Sequence, residues 1–159
     1  MIVNIGELNE AALDTVINAY NDGYDEYVLF LTSGGGEVNV AEKIKYIINL
    51  NSSITTIVGV EYLFSAAFKL FFEVSCKKEF QGRVIGMAHQ TIQSVQINSS
   101  GVLYYDNAAL KDSLNTADWI SLLNRLNVSD DKLKKFKKGE DLYFTNKEMK
   151  AFLSITSGQ

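Results

Sequence analysis

Three strand-like stretches, Tyr27–Leu31, Ile54–Val60 and Val84–Ala88, alternate with stretches of helical periodicity, and this alternation restricts the chain more than any other feature. A continuous apolar run such as Tyr27-Val28-Leu29-Phe30-Leu31 marks a strand covered on both faces, and strands joined through helices lie parallel. A short strand, Met1–Ile5, comes first. The helix opening at Asn9 spaces Leu13, Val16, Ile17 and Tyr20 on one side, and Asn21-Asp22-Gly23 closes it. The second places Val40, Ala41, Ile44, Ile47 and Ile48 together and closes at Asn49–Ser53. The third, Ser65–Val74, is mostly apolar, with Cys76 late in it as a buried filler. The expected class is α/β, in one domain over 1–159.

The pattern changes past His89. Val95 and Ile97 alternate with polar residues, Asn98-Ser99-Ser100-Gly101 is a turn, and Val102–Tyr105 is a second apolar run, so a hairpin is expected. A helix from about Asn107 follows, with Leu110, Leu114, Ala117, Ile120 and Leu123 as its stripe and Trp119 nearby. Lys132–Lys138, interrupted by Leu133 and Phe136, reads as the solvated face of a short helix. Thr145 and Glu148 form a capping box ahead of a last helix through Phe152. The chain has no proline, so Gly, Asn, Asp and Ser make every turn.

Composition excludes several functions. A net charge of -4 without a basic tail leaves no electrostatic footprint for nucleic acid. No apolar run is long enough to span a membrane, and no secretion signal is expected at the N-terminus. The single cysteine cannot pair internally, which suits a reducing, cytoplasmic setting.

Two chain reversals each follow an apolar strand and open a helix: Gly34-Gly35-Gly36 and Ser65-Ala66-Ala67. Glycines ahead of a helix bare backbone N–H groups where the helix is partially positive, which suits a developing anion. Ser65, with the only histidine, His89, 24 residues later, supplies a candidate nucleophile and base. Such a base also needs an acid to orient it. The N–H groups of Gly35 and Ala66 are the candidate oxyanion donors. Taken singly each has a plainer reading: a cap, a structural histidine, a solvated acid, a flexible turn. No metal or cofactor is expected.

Leu31-Thr32-Ser33-Gly34-Gly35-Gly36-Glu37-Val38, Ile57-Val58-Gly59, Ser65-Ala66-Ala67-Phe68 and Met87-Ala88-His89-Gln90 together resemble the proteolytic subunit of the Clp protease family. That family carries a Ser-Pro-Gly-Gly loop, a serine opening a helix and a His-Gln-Pro strand end in this order at similar spacing. The likeness is clear from Ile2 to His89 and returns at Gly139-Glu140-Asp141, where the family has its triad aspartate; it implies Asp141 as the candidate acid, with Glu140, Asp130 and Asp131 as alternatives. It implies a Clp/crotonase-like fold of repeated strand-strand-helix units, with a handle over 91–126 that joins subunits. It implies a serine endopeptidase acting on peptide or unfolded protein within a homo-oligomeric ring. Gly34 replaces the family's proline, Tyr62-Leu63-Phe64 replace the small residues before the serine, and Ala151-Phe152-Leu153 replace its terminal Gly-Leu-Val-Asp. The family's pore-gating N-terminal part has no counterpart before Ile2, so an AAA+ unfoldase partner is left open. The rival readings are a non-catalytic ring or scaffold subunit, with the bulky residues before Ser65 blocking the site, and a crotonase-type acyl-CoA enzyme.

Overall fold

Side chains along Tyr27–Ser33 alternate strictly between buried and half-buried, as in a strand with one face on a core and the other less covered. The computed structural model describes residues 1–90, 96–97, 103–104 and 108–157. In chain order these form β1 Ile2–Ile5, α1 Glu10–Asn21, β2 Tyr27–Ser33, α2 Val38–Leu50, a 3-10 turn at Ser52–Ile54, β3 Thr55–Phe64, α3 Ala66–Glu73 and β4 Lys77–Ala88. There follow β5 Gln96–Ile97, β6 Leu103–Tyr104, α4 Ala108–Arg125, α5 Asp130–Lys137, β7 Leu142–Phe144 and α6 Asn146–Ser157. The chain divides into two compact units, one of 1–88 with 142–159 and one of 89–141.

In the first unit the strands lie in the order β1-β2-β3-β4-β7, the first four parallel and β7 antiparallel to β4. The protein is thus α/β with a mixed sheet. Strands in sequential order joined by right-handed crossovers put every crossover helix on one face. Accordingly α1 packs on α2 and α2 on α3. Asn9 caps α1 by accepting from the Ala12 N–H at 3.0 Å. Leu13, Val16 and Ala19 form the buried face of α1, while Ile17, contrary to the periodicity reading, is exposed at an open groove that it lines with Tyr46 and Ile47 of α2. Val40, Ala41, Ile44 and Ile48 are buried along α2.

Two strands run further than their apolar stretches. β3 continues to Phe64 and β4 begins at Lys77, whose charged neighbours obscure a strand in which Lys78 is buried and Lys77 and Glu79 are exposed. Cys76 therefore sits in the turn before β4 rather than late in a helix, and it is buried. Both strands bulge. Two steps along β2 from Leu31 to Ser33 span four along β3, from Gly59 to Leu63, and two along β3 from Val60 to Tyr62 span four along β4, from Gln81 to Ile85. Glu61 and Gly82 take positive φ in these bulges, of 59° and 70°. The extra residues re-aim the last rungs of the sheet, which carry Ser65 at their end.

α6 packs on β4 so closely that a Cβ at Gly86 would lie 2.4 Å from the Met149 sulfur. Phe68 and Phe152 flank Phe144 of β7 at centroid distances of 5.3 and 5.0 Å, so β7 and α6 extend the core over α3. The capping box is present: Glu148 Oε1 accepts from the Thr145 N–H, and Thr145 Oγ1 from the Glu148 N–H, each at 3.2 Å. The helix it opens continues to Ser157, past Phe152.

In the second unit β5 and β6 pair antiparallel, as the hairpin reading required, though Val95, Asn98–Val102 and Tyr105 lie outside the described residues. Along the described side chains of α4 the buried residues are Trp119, Leu122 and Leu123, with Leu126 just beyond the helix end. Of the expected stripe Leu123 is buried, Ile120 half-buried and Ala117 exposed, while Leu110 and Leu114 fall among side chains outside the description. The large indole sets the face by packing on Phe136 of α5, 5.9 Å between centroids. Leu133 and Phe136 are the buried residues of α5; Lys134, Lys135 and Lys137 are exposed as expected, and Lys132 is half-buried. The expected handle, 91–126, falls within this unit. Among the described residues no helix is long and apolar enough to cross a membrane.

Candidate active site

Ser65 stands between β3 and α3 with φ 59° and ψ -125°. A residue with a Cβ is strained there by about 1–3 kcal/mol. The Ser65 N–H donates to the Met87 carbonyl at 2.8 Å, and the Ser65 carbonyl accepts from the Lys69 N–H at 3.2 Å, so strand and helix pin the turn from both sides. The side chain makes no capping hydrogen bond to α3. Ala66 begins α3, where the first N–H groups have no acceptor within the helix.

The glycine turn is built against this serine. A Cβ at Gly35, where φ is 110°, would lie 3.0 Å from the Ser65 Cβ and 3.4 Å from its Oγ. At Gly36, with φ 146°, a Cβ would fall 2.3 Å from the Leu8 carbonyl oxygen, so no other residue fits. Leu8 ties the turn down: its N–H donates to the Gly35 carbonyl at 2.9 Å and its carbonyl accepts from the Glu37 N–H at 2.8 Å. The buried Ser33 hydroxyl, which sequence reasoning did not single out, accepts from the Gly35 N–H at 3.0 Å and donates to the Gly35 carbonyl at 3.2 Å. The Gly35 N–H is therefore engaged with Ser33. A serine two residues ahead of the central glycine was the available signal, since short hydroxyl side chains bond the backbone two residues on.

His89 and Asp141 lie in the second unit, with Nδ1 and Oδ1 3.6 Å apart. That is an ion-pair separation, longer than a hydrogen bond. The register of the sheet explains the pairing. The β4–β7 ladder runs Gly86↔Phe144, Met87↔Tyr143, Ala88↔Leu142, and the next residues beyond the two strands are His89 and Asp141. Of the alternative acids, Asp130 and Asp131 occupy the first turn of α5, and Glu140 is exposed. Gln90 donates its Nε2 hydrogen to the Phe136 carbonyl at 2.9 Å, fixing the chain just past His89. The structure thus sets Gly35 beside Ser65 and His89 beside Asp141.

Beneath the turn, Lys69 carries a charge into the interface between α2 and α3. It is 6% exposed, and its Nζ lies 2.7 Å from Glu73 and 3.3 Å from Glu42. Lys45 closes the group, 2.9 Å from Glu42 and 3.6 Å from Glu73. Burial alone would push the Lys69 ammonium below the ordinary lysine value, but hydrogen bonds and charge from Glu73 and Glu42 outweigh it and hold it above. No protein-family model matches the chain, and no curated protein matches it.

Proposed function

We propose that the chain is a serine endopeptidase resembling the Clp proteolytic subunit. Ser65 Oγ attacks the peptide carbonyl while His89 takes its proton, and the tetrahedral oxyanion is held by backbone N–H groups of Gly35 and Ala66. The intermediate collapses to an ester on Ser65 as His89 returns the proton to the leaving amine. Water, deprotonated by the same histidine, then hydrolyses the ester and frees the serine. Asp141 orients His89 and stabilises its protonated form. The observation that carries this reading is the Ser65 backbone: a strained serine on a sharp strand-to-helix turn, not used as a cap, is what an exposed nucleophile requires.

A second reading, a non-catalytic ring or scaffold subunit, is favoured by one observation: the Gly35 N–H is engaged with Ser33 Oγ. In the first reading that bond is exchanged for the oxyanion when substrate binds. Hydrolysis of an unstructured peptide by the wild type, lost in Ser65→Ala and His89→Ala while both stay folded, supports the peptidase. An inactive wild type that is folded and assembled supports the scaffold.

Substrates on the first reading are peptides or unfolded protein, met in the cytoplasm, where a single buried thiol is at home. The proposal includes a homo-oligomeric ring. Among the described residues β5 and β6 form a two-stranded pair, and so short a pair favours a further strand or a neighbouring chain beside it. Light scattering at micromolar concentration that gives the mass of one chain contradicts the ring.

A further inference from the structure

We propose that Lys69 is a positioning residue for Ser65, fixing the register of α2 against α3 and so the approach of the glycine turn to the serine. The inference rests on the peptidase reading of Ser65. α2 begins at Val38, directly after Gly36-Glu37, and α3 begins at Ala66, directly after Ser65. Any slide of one helix along the other therefore changes the distance between Gly35 and Ser65, where even a methyl group has no spare room. Apolar faces such as those of Ala41, Ile44 and Ile48 on α2 and the phenylalanines of α3 tolerate small slides, because dispersion contacts are non-directional.

A buried charge does not tolerate them. The Lys69 ammonium meets a carboxylate on its own helix, Glu73, and one on α2, Glu42, while Lys45 of α2 reaches back to both. The alternating charges match in one register, and a slide of a helical turn would leave Lys69 buried beside apolar side chains. Burying such a group gains little stability over a well-packed apolar residue. Fixing a register is the better attested use of a buried ionic group. Lys69 is also the one charged residue among the first seven of an otherwise apolar helix, Ala66-Ala67-Phe68-Lys69-Leu70-Phe71-Phe72, where packing alone calls for another hydrophobe.

The test compares wild type, Lys69→Met, Lys69→Arg and Glu42→Gln. Circular dichroism and thermal unfolding are read alongside the acylation kinetics of a small fluorophosphonate, separating the limiting rate from the half-saturating concentration. Expected for Lys69→Met is a folded protein, less heat-stable than wild type because Glu73 loses its buried partner, whose limiting acylation rate falls about ten- to a hundredfold at unchanged half-saturation, as for a slightly misplaced reacting group. Lys69→Arg restores most of the rate, and Glu42→Gln, at a half-exposed position that tolerates change, shows an intermediate loss. Should Lys69→Met fail to fold, Glu42→Gln decides alone. Unchanged limiting rates in the folded variants overturn the inference and leave the peptidase standing. A wild type that is not acylated overturns the peptidase reading and this inference with it.

Discussion

If the Ser65 turn is strained for the sake of the hydroxyl, removing the constraint should stabilise the protein, and Ser65→Gly against Ser65→Ala isolates the effect. Both variants lack the hydroxyl, so whatever it contributes cancels in the comparison. Alanine keeps a Cβ at φ 59° and ψ -125°, whereas glycine adopts that region freely. Relief of strain is worth about 1–3 kcal/mol. Against it stand the greater backbone entropy of glycine, about 0.5–1 kcal/mol, and the loss of a half-buried methyl group, less than about 0.8 kcal/mol. The balance favours glycine by about 1 kcal/mol, a rise in midpoint of about 2–4 °C for a chain of this size. Thermal unfolding followed by circular dichroism, with urea titration as a check, measures it. A Ser65→Gly protein no more stable than Ser65→Ala would show that the turn carries no strain, and the main support for an exposed nucleophile would fall.

Three further outcomes follow from the site. Ser33→Ala removes the hydroxyl that holds the Gly35 N–H and should raise the acylation rate of Ser65 several-fold; a slower rate would mean the hydroxyl is needed to shape the turn. Asp141→Asn should lower peptide turnover by orders of magnitude, and a silent Asp141→Asn beside an impaired Glu140→Gln would move the third role to Glu140. Burial acts to raise the Glu42 carboxyl, but hydrogen bonding to Lys45 and the charges of Lys69 and Lys45 outweigh it and hold it below its ordinary 4.5. A depressed carboxyl stabilises the fold above about pH 4.5, and that contribution is lost as pH falls through the depressed value. The stability gap between wild type and Glu42→Gln should therefore narrow below about pH 4.5, and a gap that widens there would contradict the assignment.

Much of the first unit was legible because hydrophobic periodicity reports burial directly. β1, β2, α1, α2 and the capping box at Thr145 follow from spacing and cap chemistry. The ends of β3 and β4 did not follow, because Glu61 and Gly82 sit in bulges and Lys77-Lys78-Glu79 present charge where a parallel strand is expected to be apolar. β7 is a three-residue strand formed only by pairing with β4, so nothing local announces it. Without β7 the meeting of His89 and Asp141 has no geometric basis in the sequence, although both residues could be named from order and resemblance. The positive φ of Ser65 has no signature either, since serine is no better suited to it than its neighbours. Lys69 was visible as a lone charge in an apolar helix, with Glu73 four residues on, but its partner Glu42 lies 27 residues earlier and only the packing of α2 on α3 brings it close.

The central claim is that Ser65 is the nucleophile, and intact-mass spectrometry after incubation with a fluorophosphonate tests it most directly. The account predicts one adduct per chain on wild type, mapped to Ser65 by peptide sequencing and absent from Ser65→Ala. Labelling that persists unchanged in Ser65→Ala, or a folded wild type that takes up no probe, would contradict it.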